Sequence, residues 1–362
     1  MSRLSQVTLE ETLHSLPDVS SLDLQTLPTQ IDRFVCAAGF ESRACSIARG
    51  LAEQRTTIEQ AIIVELDSNA DADKKNRDEL HRLLTGVSDS VRVVNGDSPS
   101  YVGDLQECLG GENLLVAFDI SVAATRLILR TLRAIFTLDV NLMTLYSEAE
   151  VYHPTLTEFE AKREDWVNEE VMGTEIGVQD VAPSSVFPGE HLEALPDTVI
   201  VFPNFRKERS AAAITHVDGS LLMSAGNNIA WVLGRPHLPT DQWRRETMCE
   251  INDIAADAFT LEASTFDYKD AFRVLDGIYA ARWETSNLTL CPFGSKLQAV
   301  AISLFCTQHS DVRVLFATPR QYNTNLWSDG CRNLWKIDFG SSQELVAKLR
   351  AVGTIRVEDL NP

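Results

Sequence analysis

The chain carries one α/β plan twice, and no other feature restricts its fold as strongly. The first copy runs from Phe34-Val35-Cys36-Ala37-Ala38 into Gly39-Phe40-Glu41-Ser42-Arg43, then through an apolar stretch at 61–66, a helical stretch near 78–84, and Val91-Arg92-Val93-Val94 leading to Tyr101. It closes with residues 113–118 into Asp119-Ile120-Ser121, a long helix, and an apolar run at 140–146 out to Tyr152. The second copy runs from Val199-Ile200-Val201-Phe202 into Asn204-Phe205-Arg206-Lys207-Glu208-Arg209, then through 229–234, a helical stretch near 243–254, and Phe259-Thr260-Leu261-Glu262 leading to Tyr268. It closes with Asn287–Pro292 into Phe293-Gly294-Ser295-Lys296, a helix, and a run at 312–317 out to Tyr322. Matched pairs such as Val64 and Val232, or Tyr101 and Tyr268, stand about 170 residues apart, far beyond the roughly 20–50 residues of a solenoid unit. That spacing suits two whole domains.

Within each copy, short Val/Ile/Leu/Phe runs alternate with segments of helical period. Parallel strands joined by crossover helices and covered on both faces give this pattern. The expected fold is therefore α/β: two tandem Rossmann-like domains with doubly wound, mainly parallel sheets, related by internal duplication. The sequence divides into a leader at 1–28, a first domain at 29–153, an acidic Pro/Ser-containing linker at 154–196, a second domain at 197–340, and a tail at 341–362. In the tail a helix at 344–351 and a short strand at 353–357 are expected.

With 362 residues and 44% apolar content there is room for two cores. The most apolar region, 114–138, is broken by Asp119, Arg126, Arg130 and Arg133, which excludes a comfortable membrane span. Residues 1–6 lack a signal-peptide design. The seven cysteines are odd in number and scattered, with no CxxC and no zinc spacing. These features imply a cytoplasmic protein with no metal site and no membrane partner. A net charge of −20 argues against extended contact with duplex nucleic acid, which depends on phosphate neutralisation. A local basic pocket for a small anion remains compatible with that charge.

In doubly wound sheets ligands bind beyond the carboxyl ends of the strands, so the loops there hold the candidate residues. After the first strand these are Gly39, Phe40, Glu41, Ser42 and Arg43 in one copy, and Asn204, Arg206 and Arg209 in the other. Each loop leads into a helix whose N–H groups favour an anion; the alternative is a plain helix cap, with Ser42 or Asn204 as N-cap. After the fourth strand come Asp119, Ser121, Thr125 and Arg126, against Asn287, Thr289, Gly294, Ser295 and Lys296. Hydroxyls and a cation at a helix start suit a phosphate or carboxylate. Tyr101, Tyr268 and Tyr322 are candidates to stack on bases, or are packing residues. Arg320 completes the set. Neither a P-loop nor a dinucleotide fingerprint occurs, and no cofactor is identified.

Asn287, Thr289, Gly294, Ser295 and Lys296 resemble the Asn-(Leu/Ile)-Thr-Gly-Gly-Thr-Lys stretch of CARF domains from prokaryotic antiviral systems. Four residues, Leu290 to Phe293, separate the threonine from the glycine here, where that family has a single glycine. The first copy departs further, with Asp119, Ser121, Thr125 and Arg126 but no glycine. SAVED domains resemble two CARF units fused in one chain. The stretches around Gly39–Arg43 and Asp119–Arg126 are also similar to uncharacterised proteins of bacterial defence islands. The resemblance implies a sensor or accessory protein of anti-phage defence, with a cyclic oligonucleotide as ligand.

The residues themselves point to a module that binds a nucleotide-like anion in the cleft between the copies. A separate protein partner is expected to receive the signal through the acidic linker or the tryptophan-bearing tail. No nucleophile–base pair stands out, so catalysis is the alternative: an enzyme on a nucleotide or phosphorylated substrate, with Glu41 or Asp119 as base and Arg43 and Lys296 as cations. A non-catalytic scaffold subunit is a second alternative. The first copy is the richer in carboxylates and the second in cations.

Overall fold

The computed structural model describes residues 8–67, 70–168, 175–223, 228–323 and 327–358. The chain forms two compact units: unit 1 comprises Met1–Glu150 with Asp329–Pro362, and unit 2 comprises Val151–Ser328. Up to the first crossing the elements are α1 (Leu9–Ser15), β1 (Ser20–Ser21), β2 (Gln30–Ala37), α2 (Ser46–Gln54), β3 (Thr57–Glu65), α3 (Ala70–Thr85), β4 (Ser88–Asn95), α4 (Tyr101–Leu109), β5 (Leu114–Asp119), α5 (Thr125–Ile135) and β6 (Val140–Glu148). Next come β7 (Val151–Tyr152), α6 (Leu156–Ala161), α7 (Arg163–Val167), β8 (Glu175–Pro183), β9 (Asp197–Phe202), α8 (Lys207–Asp218), β10 (Ile229–Arg235) and α9 (Trp243–Ile251). The chain continues with β11 (Thr260–Ser264), α10 (Tyr268–Arg282), β12 (Asn287–Pro292), α11 (Lys296–Gln308), β13 (Arg313–Tyr322), β14 (Ser328–Asp329), β15 (Asn333–Ser341) and α12 (Ser342–Glu358).

The sheet of unit 1 runs β1-β15-β6-β5-β2-β3-β4, and that of unit 2 runs β11-β10-β9-β12-β13-β8. In both, the first strand of the α/β plan (β2, β9) is central. The second and third lie to one side, the fourth and fifth to the other, all parallel. In both, an antiparallel strand follows the fifth: β15 beside β6, and β8 beside β13. The expected α/β doubly wound architecture is present twice. The central strands read as unbroken apolar runs because both faces are covered; Phe34 to Cys36 and Val199 to Val201 are at most 1% exposed.

Several boundaries differ from the expectation. The arrangement is not strictly tandem, because unit 2 is inserted between β6 and β15. Residues 329–340, which the sequence divides into the second domain, belong to unit 1, where β15 pairs with β6. The described part of the leader contributes to the core of unit 1, with Leu22 and Leu27 buried and Leu24 packed against the same cluster. The stretch read as a linker holds α6, α7 and the edge strand β8. The strand expected at 353–357 is helical, as α12 runs unbroken from Ser342 to Glu358.

Candidate functional site

At the carboxyl edge of unit 1, the β2 and β5 loops meet at the point where the strand order reverses. Arg43 is 2% exposed; its Nε and Nη2 donate to Glu41 Oε2 at 3.0 and 2.8 Å, and its Nη1 donates to the Ser147 carbonyl at 2.7 Å. Tyr146 lies beneath the guanidinium at 5.8 Å. Asp119, the last residue of β5, accepts from the Ser121 N–H at 2.9 Å and from the Ser121 hydroxyl. Ser121 Oγ in turn accepts the Ser147 N–H at 2.7 Å. Asn76 Nδ2 fixes the loop by donating to the carbonyls of Gly39 and Glu41 at 2.6 and 2.9 Å. Gly39 is required by close approach, since a Cβ there would lie 2.7 Å from Val122 Cγ2.

Burial raises Asp119 to about 6, while the Ser121 donors and Arg43 pull it down. Burial also pushes the neighbouring Cys36 thiol well above its ordinary range, with the Asp119 charge adding to the effect. Glu41 and Asp119 are thus brought together with Arg43 and Ser121. Yet they are only 5% and 3% exposed and bonded within the loops, so neither presents a base to solvent. Ser42 is exposed and accepts the Gly330 N–H at 2.9 Å instead of capping a helix. The turn that follows starts from Glu41, without a side-chain cap. Phe40 is half-buried in the same loop.

The rest of the first set lies elsewhere. Tyr101 is fully buried in the first turn of α4, with its hydroxyl 2.7 Å from Thr131 Oγ1. Arg130 lies over its ring at 5.0 Å. Arg126 pairs with Asp97, and Thr125 opens α5. The stacking role expected of Tyr101 is excluded by its burial.

In unit 2 the corresponding cation is Arg209. Its Nη1 meets both Glu175 oxygens at 2.7 and 2.9 Å, its Nε donates to the Ala317 carbonyl at 2.9 Å, and its guanidinium lies 4.5 Å from the Phe293 ring. Asn204 forms an Asx turn: its Oδ1 accepts the Arg206 N–H at 2.9 Å, and its Nδ2 donates to Glu175 at 3.2 Å. Arg206 is buried at the N-cap of α8, and no side chain caps that helix. Asn252 and Ser210 extend the network.

Asn287, Thr289, Gly294, Ser295 and Lys296 are not gathered at one place. Asn287 begins β12, at the amino end of the strand, where it bonds the backbone of Leu192 and Leu195. Thr289 is mid-strand and fully buried, and Tyr268 is fully buried as well. A strand rises about 3.3 Å per residue, which carries Asn287 roughly 17 Å from the carboxyl edge. Ser295 is the N-cap of α11 in a reciprocal capping box with Gln298, and its Oγ donates to the Thr265 carbonyl at 2.6 Å. Gly294, Lys296, Arg320 and Tyr322 do stand at that edge. Arg320 is exposed and has no ion pair among the described residues. Tyr322 packs edge-on against Trp327 at 5.7 Å.

Glu175, Asn76 and Ser147 are the site residues that sequence reasoning missed. Glu175 had no signal, since it lies in the stretch read as linker, and Ser147 acts through its backbone. Among the described residues no group of His, Cys, Asp and Glu side chains is placed to hold a metal ion, and no helix is long and apolar enough to cross a membrane.

No family model matches the chain, and no curated protein matches it. Two solved structures are similar at the level of a weak global superposition. One is the cytoplasmic domain of a prokaryotic cation chloride cotransporter, 8% identical over 82% of this chain and 99% of that one, with a TM-score of 0.25. The other is a functionally unknown protein from Pseudomonas aeruginosa PAO1, 11% identical over 92% of this chain and 99% of that one, with a TM-score of 0.23.

Proposed function

We propose that this protein binds a small nucleotide-like anion at the carboxyl edge of the unit 2 sheet. The observation that carries the reading is Arg320. Arg209 is matched by Glu175, whereas Arg320 stands exposed at the end of β13 with no ion pair among the described residues. It lies against Gly177 of β8, two residues from Glu175, and so beside the loop that opens α8. The first turn of α8 has no side-chain cap, and Lys296 follows on the next loop, an arrangement suited to phosphate oxygens. A thermal-shift screen with nucleoside phosphates, cyclic oligonucleotides and NAD derivatives tests this. A ligand at 100 times its Kd stabilises by about 2.7 kcal/mol, and Arg320→Ala is expected to abolish the shift. No shift with any of these compounds in a folded sample sinks the reading. Turnover of a bound compound would favour the enzyme.

A second reading, a scaffold subunit, is supported by the unit 1 edge. Glu41, Arg43, Asp119 and Ser121 are bonded to one another there, and Val122 covers Gly39.

A further inference from the structure

The same edge of unit 2 carries a stacked pair of rings beyond the ends of β10 and β11. β10 ends at Arg235 and β11 at Ser264, and these two residues are paired. Two positions beyond each strand stand His237, exposed, and Phe266, half-buried. Their rings stack with centroids 4.3 Å apart and planes inclined by 30°. The loops beneath them are fixed. The Thr265 N–H donates to the Arg235 carbonyl at 3.0 Å, and Ser264 Oγ accepts the N–H groups of Phe266 and Asp267 at 3.1 and 2.9 Å. Gly234 allows this closure, since a Cβ there would lie 2.8 Å from Thr265 Cγ2. The bond from Ser295 Oγ to the Thr265 carbonyl, at 2.6 Å, ties the loop bearing Phe266 to the start of α11, where Lys296 follows.

We propose that His237 and Phe266 form a stacking platform for a nucleobase. The proposal rests on the anion-binding reading above and names the rest of that ligand. Aromatic rings held at a strand edge beside a cation suit a planar base joined to a phosphate. From the β10–β11 ends to the β12–β13 ends is three strand spacings, roughly 14 Å. A ligand touching both is therefore of nucleoside-polyphosphate or dinucleotide length, longer than a free base or a lone phosphate. The burial of Tyr268, two residues beyond Phe266, leaves Phe266 as the aromatic of this loop that reaches the surface.

The test is calorimetric titration of the full chain with ADP and with inorganic pyrophosphate, for the wild type, His237→Leu and Phe266→Leu. In the wild type ADP is expected to bind roughly 5- to 150-fold more tightly than pyrophosphate. Either substitution should bring ADP close to pyrophosphate while leaving pyrophosphate unchanged. His237 is exposed, so its substitution separates stacking from folding; a melting curve checks Phe266→Leu. Equal affinities for ADP and pyrophosphate in the wild type overturn the platform and leave the anion site standing. Equal weakening of both ligands by the substitutions also overturns it, because the rings would then act on the fold. Binding of neither compound overturns the platform, and a thermal-shift screen without any response overturns the anion site as well.

Discussion

Arg43 and Arg209 occupy the same place in two different sheets. Cys36 pairs with the last residue of β5 and Phe202 with the last residue of β12, and each arginine follows its strand residue at the same distance along the chain. Both donate to a carbonyl of the fifth strand, Ser147 in one unit and Ala317 in the other, and both lie near an aromatic ring. The carboxylate that matches them differs. Glu41 comes from the same loop, and Glu175 comes from the antiparallel strand.

Removing either cation strands a buried carboxylate. Arg43→Met is expected to destabilise unit 1 by about 3–5 kcal/mol in urea denaturation, because Glu41 then loses its guanidinium partner. The double substitution Arg43→Met with Glu41→Leu should recover a large part of the loss. A double variant no more stable than Arg43→Met alone would show that the pair is not what holds the loop.

Gly39 and Val122 form a second coupled pair. Gly39→Ala puts a methyl group within 2.9 Å of Val122 Cβ and Cγ2, and is expected to cost about 1–3 kcal/mol. Val122→Ala in the same chain should relieve most of it, which a double-mutant cycle measures.

The pH dependence follows from two raised carboxyls. Burial lifts Asp119 to about 6 and Asp73 to about 7, from an ordinary 3.8. Between those values the folded chain holds protons that the unfolded chain has released. Their contribution to stability is therefore full at low pH, falls as pH rises through about 4 to 7, and is level above. Asp119→Asn should gain stability over the wild type at pH 8 by more than at pH 5, with the difference on the order of 1–1.5 kcal/mol. Asp73→Asn should move in the same direction. A gain that is equal at both values would mean that these carboxyls are not shifted.

Ser295 distinguishes a cap from a ligand contact. Ser295→Ala removes the acceptor for the Gln298 N–H and the donor to Thr265, and should lower the melting temperature by an amount worth about 1–2 kcal/mol. The loss should be the same with and without added ADP. A loss confined to the sample with ADP would assign the hydroxyl to a ligand.

Strand periodicity and the repeat were enough to read two doubly wound sheets, because parallel strands buried on both faces spell out continuous apolar runs. β8 was illegible for the opposite reason. Its residues Glu175, Gln179 and Asp180, with Gly177 at positive φ, suit a half-exposed edge and break the apolar pattern. The tyrosine candidates misled because Tyr101 and Tyr268 each open a helix, and there the side chain turns into the core. Asn287 and Thr289 looked like a loop motif, although the apolar residues around them extend β12 back through both. The carboxylates Glu41 and Asp119 stand out in the strand-end loops of the first copy, but nothing in the sequence shows that Arg43 and Ser121 bond them from within.

On the ribosome, the half of this protein that is begun first is finished last. β6 is made before residue 150, but β15, which covers its edge, follows only after all of unit 2. At roughly 5–20 residues per second that interval is roughly 10–40 s. Throughout it the nascent chain presents β6 as an open strand edge, the kind of surface that recruits other chains. The sheet of unit 2, β8 to β13, is complete before β15 is begun. Synthesis thus runs against the usual N-terminal-first order, and the edge of β6 stays without its partner strand while unit 2 is being made.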